Sequence, residues 1–123
     1  MIGIFGGSFN PIHIGHLILA QDLISDGRIS DVYFMPCYAQ PLKEEDDLFS
    51  FDKRCEWIKR AIMGKPHLLL LDIEKDLPKP NYTYNTLKAL EEQGFPPFCF
   101  IMGGDLKVDG KSLVKNGELI PPA

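Results

Sequence analysis

Cysteine is scarce in this chain, and the markers of an extracellular or membrane-bound protein are missing with it. The three cysteines, Cys37, Cys55 and Cys99, are odd in number and form no closely spaced pair. That pattern indicates neither a disulfide framework nor a zinc knuckle, so a reducing cytosol, and hence a cytoplasmic protein, is expected. No apolar run approaches the roughly 20 residues of a membrane-spanning helix. No basic segment precedes the first apolar run, the first cationic side chain being Arg28. A soluble chain without a membrane partner is expected. Positive charge is also short: 13 basic against 17 acidic side chains leave a formal net charge of -4. Proteins that track a nucleic-acid backbone usually carry the opposite bias, so no polynucleotide partner is expected. A single bound nucleotide stays open, because a few backbone N–H groups and local donors can hold it whatever the global charge.

What is present is enough apolar material for one core. At 123 residues and 45% hydrophobic composition, the chain can bury a single usable core and not two, so residues 1–123 are read as one domain. Short β-rich apolar runs alternate with segments of three-to-four-residue apolar spacing, which implies a parallel sheet with crossover helices. The spacing predicts strands at Met1 to Phe5, Asp31 to Met35, Leu68 to Ile73 and Phe98 to Met102. It predicts helices over Ile14 to Ile24, from a cap at Ser50 or Asp52 to Met63, and from a cap at Asn81 or Thr83 to Gln93. Gly27, Gly64 and Gly94 are the helix stops, and Cys37 to Ser50, with Pro41 and the acids Glu44 to Asp47, reads as a surface loop. After Asp105 the pattern weakens, and a doubly wound sheet would need further strands there. The nearly all-apolar fourth strand would then keep one edge unpaired, an invitation to a homo-oligomer.

The most informative stretch is Gly6-Gly7-Ser8-Phe9-Asn10-Pro11-Ile12-His13-Ile14-Gly15-His16, between the first strand and the first helix. In open α/β sheets that position is the ligand crevice. Gly6 and Gly7 would let the backbone turn sharply and approach an anion, with the unpaired N–H groups of the following helix facing it. His13 and His16, three apart at the opening of a helix, share one face and can both reach one phosphate chain. The stretch matches neither G-x-G-x-x-G nor the P-loop pattern, and no third residue joins the two histidines at metal-ligand spacing. From the residues alone, an anion site and a plain turn remain open on equal terms, with a metal site a distant third.

Gly7 to His16 matches, at every defined position, the G-x-F-x-P-x-H-x-G-H signature of the HxGH nucleotidylyltransferase superfamily, and the chain resembles its nicotinate or nicotinamide mononucleotide adenylyltransferases. Three more segments carry the likeness in chain order. Pro36 to Lys43 resembles a proline-rich substrate loop ending in a basic residue, and Tyr82-Thr83-Tyr84-Asn85-Thr86-Leu87 resembles a Y-T-x-x-T-L segment. Phe100 to Asp105 resembles an F-I-x-G-x-D strand end. The family's C-terminal I-S-x-T-x-x-R/K segment has no counterpart, so the implied Rossmann-like sheet would lack its last strands and helices.

The resemblance implies a transferase that moves AMP from ATP to nicotinate mononucleotide, releasing pyrophosphate and forming deamido-NAD, in NAD biosynthesis. It implies catalytic roles for His13 and His16 as phosphate donors. ATP would lie at Gly6, Gly7, Ser8, Phe9, His13, His16, Gly104 and Asp105, with Asp105 holding the adenosine ribose. The mononucleotide would lie at Lys43, Tyr82 and Thr83, with Thr83 at the nicotinate ring. Mg²⁺ would ride on the ATP phosphates, with no metal held by the protein itself. A pantetheine-phosphate adenylyltransferase shares the first signature, but His13 and the Y-T-x-x-T-L segment set this chain apart from it. A non-catalytic nucleotide-binding fragment is the alternative of another class.

Overall fold

The first strand, β1 (Ile2–Gly7), lies in the middle of a four-stranded parallel sheet. The computed structural model describes residues 1–38, 48–79 and 83–102. Within them the chain runs β1, α1 (Ile14–Ser25), β2 (Asp31–Pro36), α2 (Phe51–Ile62), β3 (Leu68–Leu70), a 3-10 helix (Ile73–Asp76), α3 (Thr83–Glu92) and β4 (Phe98–Met102). The sheet order is β3-β2-β1-β4, with β1 paired to both β2 and β4. This is the Rossmann-like α/β fold that the alternating pattern predicts. Between β1 and β4 the strand order reverses, the place where such sheets hold ligands.

Alternation along the strands assigns each face. Phe5, Val32, Phe34, Leu68, Cys99 and Ile101 form one core with Ala20 of α1 and Ile58 of α2. Ile4, Met35 and Phe98 form the other with Leu90 of α3. Helices therefore cover both faces, and burying side chains of this size contributes about 1.5–3 kcal/mol each. Ser50 caps α2 by accepting from Lys53 N, as the sequence predicts. Gly27, Gly64 and Gly94, the predicted stops, take φ of 92°, 80° and 88°. No helix among the described residues is long and apolar enough to cross a membrane.

Three expectations about the elements change. Of the apolar residues at helical spacing in α1, namely Ile14, Leu17, Ile18, Leu23 and Ile24, the last two and Leu17 pack against the core as expected, while Ile14 and Ile18 are 70% and 54% exposed and Ala20 is buried instead. α1 is apolar nearly all round, so spacing alone could not select its inner face.

β3 is shorter than Leu68 to Ile73 and is not covered as a central strand would be, with Leu69 and Leu70 only partly buried. The ladder explains the length. Val32 N donates to His67 O at 2.9 Å and Leu71 N to Phe34 O at 2.8 Å. The next rung would need an N–H from Pro36, and proline has none.

The third change is at Gly6 and Gly7, which do not turn the chain. They continue β1, paired with Met35 and Pro36, and the left-handed conformation falls on Phe9, at φ 46°. Gly6 answers a different need, since a Cβ there would stand 2.9 Å from the Phe100 ring.

Candidate functional site

The C-terminal end of β1 feeds a short loop, with a cis Asn10–Pro11 peptide, into the opening of α1. Phe9 anchors that loop from below. Its ring is buried and meets Phe5, Phe34 and His16 edge-on, with the His16 ring centroid 4.9 Å away. Gly6, Gly7 and Ser8 remain partly exposed above it.

The two histidines cap their own helix. The Gly15 N–H donates to His13 Nδ1 at 3.0 Å, and the His13 N–H donates to His16 Nδ1 at 2.9 Å. The His16 N–H is taken by the His13 carbonyl at 3.0 Å. Sequence reasoning had the opening amides of the helix face an anion, but those of Gly15 and His16 are already used. The consequence falls on the rings. A backbone N–H can only donate, so each Nδ1 it meets must be unprotonated, and each neutral ring carries its proton on Nε2. The pair is thus set as two Nε2–H donors, with ring centroids 3.8 Å apart.

Gly15 makes this possible. A Cβ at that position would stand 2.9 Å from His13 Cε1 and 3.1 Å from Nδ1, so any side chain would push the imidazole off its cap. The glycine of the H-x-G-H pattern is therefore a matter of space for a ring.

His16 is half-buried against Phe5 and Phe9. Burial first, and the neighbouring His13 second, together lower its pKa from 6.5 to about 4. His16 is neutral at pH 7 for that reason. The unfolded chain would bind this proton near 6.5 and the fold only near 4, so this group takes stability away as pH falls through that window. In a proton-detected or ¹⁵N titration of the free protein, the His16 ring is expected to hold its Nε2–H form down to pH 5. A midpoint above 6 would mean the ring is not buried as described.

Of the remaining predicted site residues, Thr83 is the first residue of α3. Lys43, Tyr82, Gly104 and Asp105 lie outside the described residues. β4 does bring its C-terminal end beside β1, with Met102 paired to Gly6. Among the described residues, no group of three or more His, Cys, Asp or Glu converges to hold a metal ion.

Sequence reasoning passed over two buried charged residues close to the site. Arg54, 2% exposed, donates to Ser8 O, Cys37 O and Phe49 O at 2.9, 2.8 and 2.8 Å. Glu74, 6% exposed, accepts from Tyr38 N at 3.1 Å and from the Thr86 hydroxyl at 3.0 Å. The available signal was Arg54 itself, a charged side chain in register with Ile58 and Ile62 on the buried stripe of a helix.

The chain matches the family model described as cytidylyltransferase-like over residues 4–120. It is 46% identical over 107 residues to a Porphyromonas gingivalis protein named "Probable nicotinate-nucleotide adenylyltransferase", covering 85% of this chain and 54% of that relative. A Christiangramia forsetii protein of the same name is 41% identical over 122 residues, covering 97% of this chain and 61% of its own. The chain thus spans little more than half the length of these curated relatives. Its fold is similar to that of the Plasmodium falciparum nicotinic acid mononucleotide adenylyltransferase complexed with NaAD, with a TM-score of 0.65 and 24% identity over 82% of this chain and 49% of that one.

Proposed function

The chain belongs to the cytidylyltransferase-like family, and from that premise we propose that it serves adenylyl transfer from ATP to nicotinate mononucleotide, yielding deamido-NAD and pyrophosphate. The observation that carries the proposal is the capped histidine pair, whose Nδ1 atoms are taken by backbone N–H groups so that each neutral ring keeps an Nε2–H donor at the opening of α1. The names of the relatives support the choice of substrates.

In this reading the phosphate of the mononucleotide attacks the α-phosphorus of ATP, and pyrophosphate leaves. The attacking oxygen is already anionic, so no side chain has to remove a proton. What the protein supplies is alignment and donors for the charge that builds on the α-phosphate and the leaving group. His13 and His16 do this as neutral donors and not as acid or base. Gly6 to Phe9 face the phosphates, and Asp105 and Gly104 take the ribose end. Lys43, Tyr82 and Thr83 receive the mononucleotide. Residues 6–16 contain no carboxylate, so Mg²⁺ enters on the ATP oxygens, where it neutralises phosphate charge. A second copy of the chain is a further partner, at the edge of β4 that no described strand covers.

Titration calorimetry with ATP and Mg²⁺ tests the site. Binding is expected in the wild type and weakening in His16→Ala and Asp105→Ala. Absence of binding at millimolar ATP, or variants that bind unchanged, would remove the site. Formation of the dinucleotide on adding nicotinate mononucleotide distinguishes a transferase from a nucleotide-binding module.

A further inference from the structure

One peptide unit near the site is held from both sides. The carbonyl of Cys37 accepts from Arg54 Nη1 at 2.8 Å, and the N–H of the same peptide bond, on Tyr38, donates to Glu74 Oε1 at 3.1 Å. Because the peptide is planar, fixing both its oxygen and its nitrogen fixes its orientation. A buried cation and a buried carboxylate thus face each other through the Cys37–Tyr38 amide, and each reaches further. Arg54 Nη1 also donates to Ser8 O, in the loop after β1, and Glu74 Oε2 accepts from the Thr86 hydroxyl in α3. Thr86 is 1% exposed, so its hydroxyl faces inward and not toward a ligand.

We propose that the chain Ser8, Arg54, Cys37–Tyr38 peptide, Glu74 and Thr86 is a positioning relay that sets the mononucleotide half of the site relative to the ATP half. It rests on the reading of Gly6 to His16 as the ATP side and of the segment opening α3 as the mononucleotide side. The loop after β1, the end of β2 and α3 are far apart in sequence, and packing alone leaves their polar ends free to slide. The relay ties all three through directional, charge-assisted hydrogen bonds, which are stronger and narrower in geometry than neutral ones. Displacements on the order of 1 Å matter for a transfer between two bound substrates, with losses up to about a hundredfold. The second threonine of the Y-T-x-x-T-L segment has its role here. Glu74 and Thr86 are positioning residues, since neither is exposed to a ligand.

The test is calorimetry with nicotinate mononucleotide and, separately, with ATP and Mg²⁺, on the wild type, Glu74→Met, Thr86→Val and Glu74→Gln. Methionine fills the space of Glu74 but can accept from neither Tyr38 N nor the Thr86 hydroxyl as the carboxylate does. Glutamine keeps both, its carbonyl accepting from Tyr38 N and its amide donating to the Thr86 hydroxyl. Expected is a loss of about tenfold in mononucleotide affinity for Glu74→Met and Thr86→Val. ATP affinity should stay within about twofold, and Glu74→Gln should restore the mononucleotide. If Glu74→Met does not fold by circular dichroism, Thr86→Val carries the comparison. Folded variants that bind mononucleotide as the wild type does, or that lose both ligands equally, overturn the relay and leave the functional reading standing. A wild type that binds no mononucleotide at millimolar concentration overturns that half of the functional reading and the relay with it.

Discussion

Replacing His16 by alanine is expected to lower kcat about a hundred- to a thousandfold, the usual consequence of removing one preorganised donor from a transferring group. KM for ATP should move far less. The argument is about when charge appears. In the ground state of the proposed reaction the ATP phosphates would already be met by backbone N–H groups and partly neutralised by Mg²⁺. In the transition state, negative charge grows on the α-phosphate oxygens and the leaving group, and a donor fixed beforehand is worth most there. His16 is fixed beforehand: its Nδ1 is held by the His13 N–H, and its ring is wedged edge-on against Phe5 and Phe9. Alanine removes the donor and also opens the cap, yet leaves the crevice walls in place. Steady-state kinetics on a form of the protein that turns over would decide the matter. Full kcat with only a raised KM would show that His16 merely binds.

The second large effect concerns stability. Arg54→Met is expected to destabilise the fold by about 3–5 kcal/mol. Methionine follows the arginine stem only as far as Nε, so the loss combines the missing donors with the space that the buried guanidinium fills. Three backbone carbonyls, of Ser8, Cys37 and Phe49, would lose the guanidinium at once. Replacing a whole buried ionic group by apolar residues can be neutral, but here the acceptors are main-chain atoms and remain. At about 4 °C per kcal/mol, where the ranges for smaller and larger domains meet, the melting temperature should fall by roughly 12–20 °C. Thermal unfolding followed by circular dichroism measures it. A change of less than about 1 kcal/mol would mean that water replaces the guanidinium at all three carbonyls.

The order of elements was legible in the sequence because hydrophobic period is a local property. The alternation of β-rich runs and helical spacing marked every described strand and α-helix, and Ser50, Gly27, Gly64 and Gly94 marked ends through their own backbone chemistry. The place of the candidate site between β1 and α1 was legible for the same reason, since Gly7 to His16 is one contiguous segment between a strand and a helix. Even the parallel sheet followed, because crossover helices impose it.

Other features depended on contacts between segments distant along the chain. Which stripe of α1 faces inward was decided by the sheet, since an all-round apolar helix carries no preferred face. Gly6 was read as a turn residue, and its actual constraint is the Phe100 ring on a neighbouring strand. The length of β3 depended on Pro36, a residue of its partner. The protonation pattern of His13 and His16 depended on which amides reach their Nδ1 atoms, a matter of distances and not of spacing. Arg54 and Glu74 show the division most clearly. In the sequence they are a charge on a helix and a charge beside a strand. Only the fold brings a carbonyl and an amide of one peptide between them, because directional hydrogen bonds across the chain exist only once packing has set the geometry.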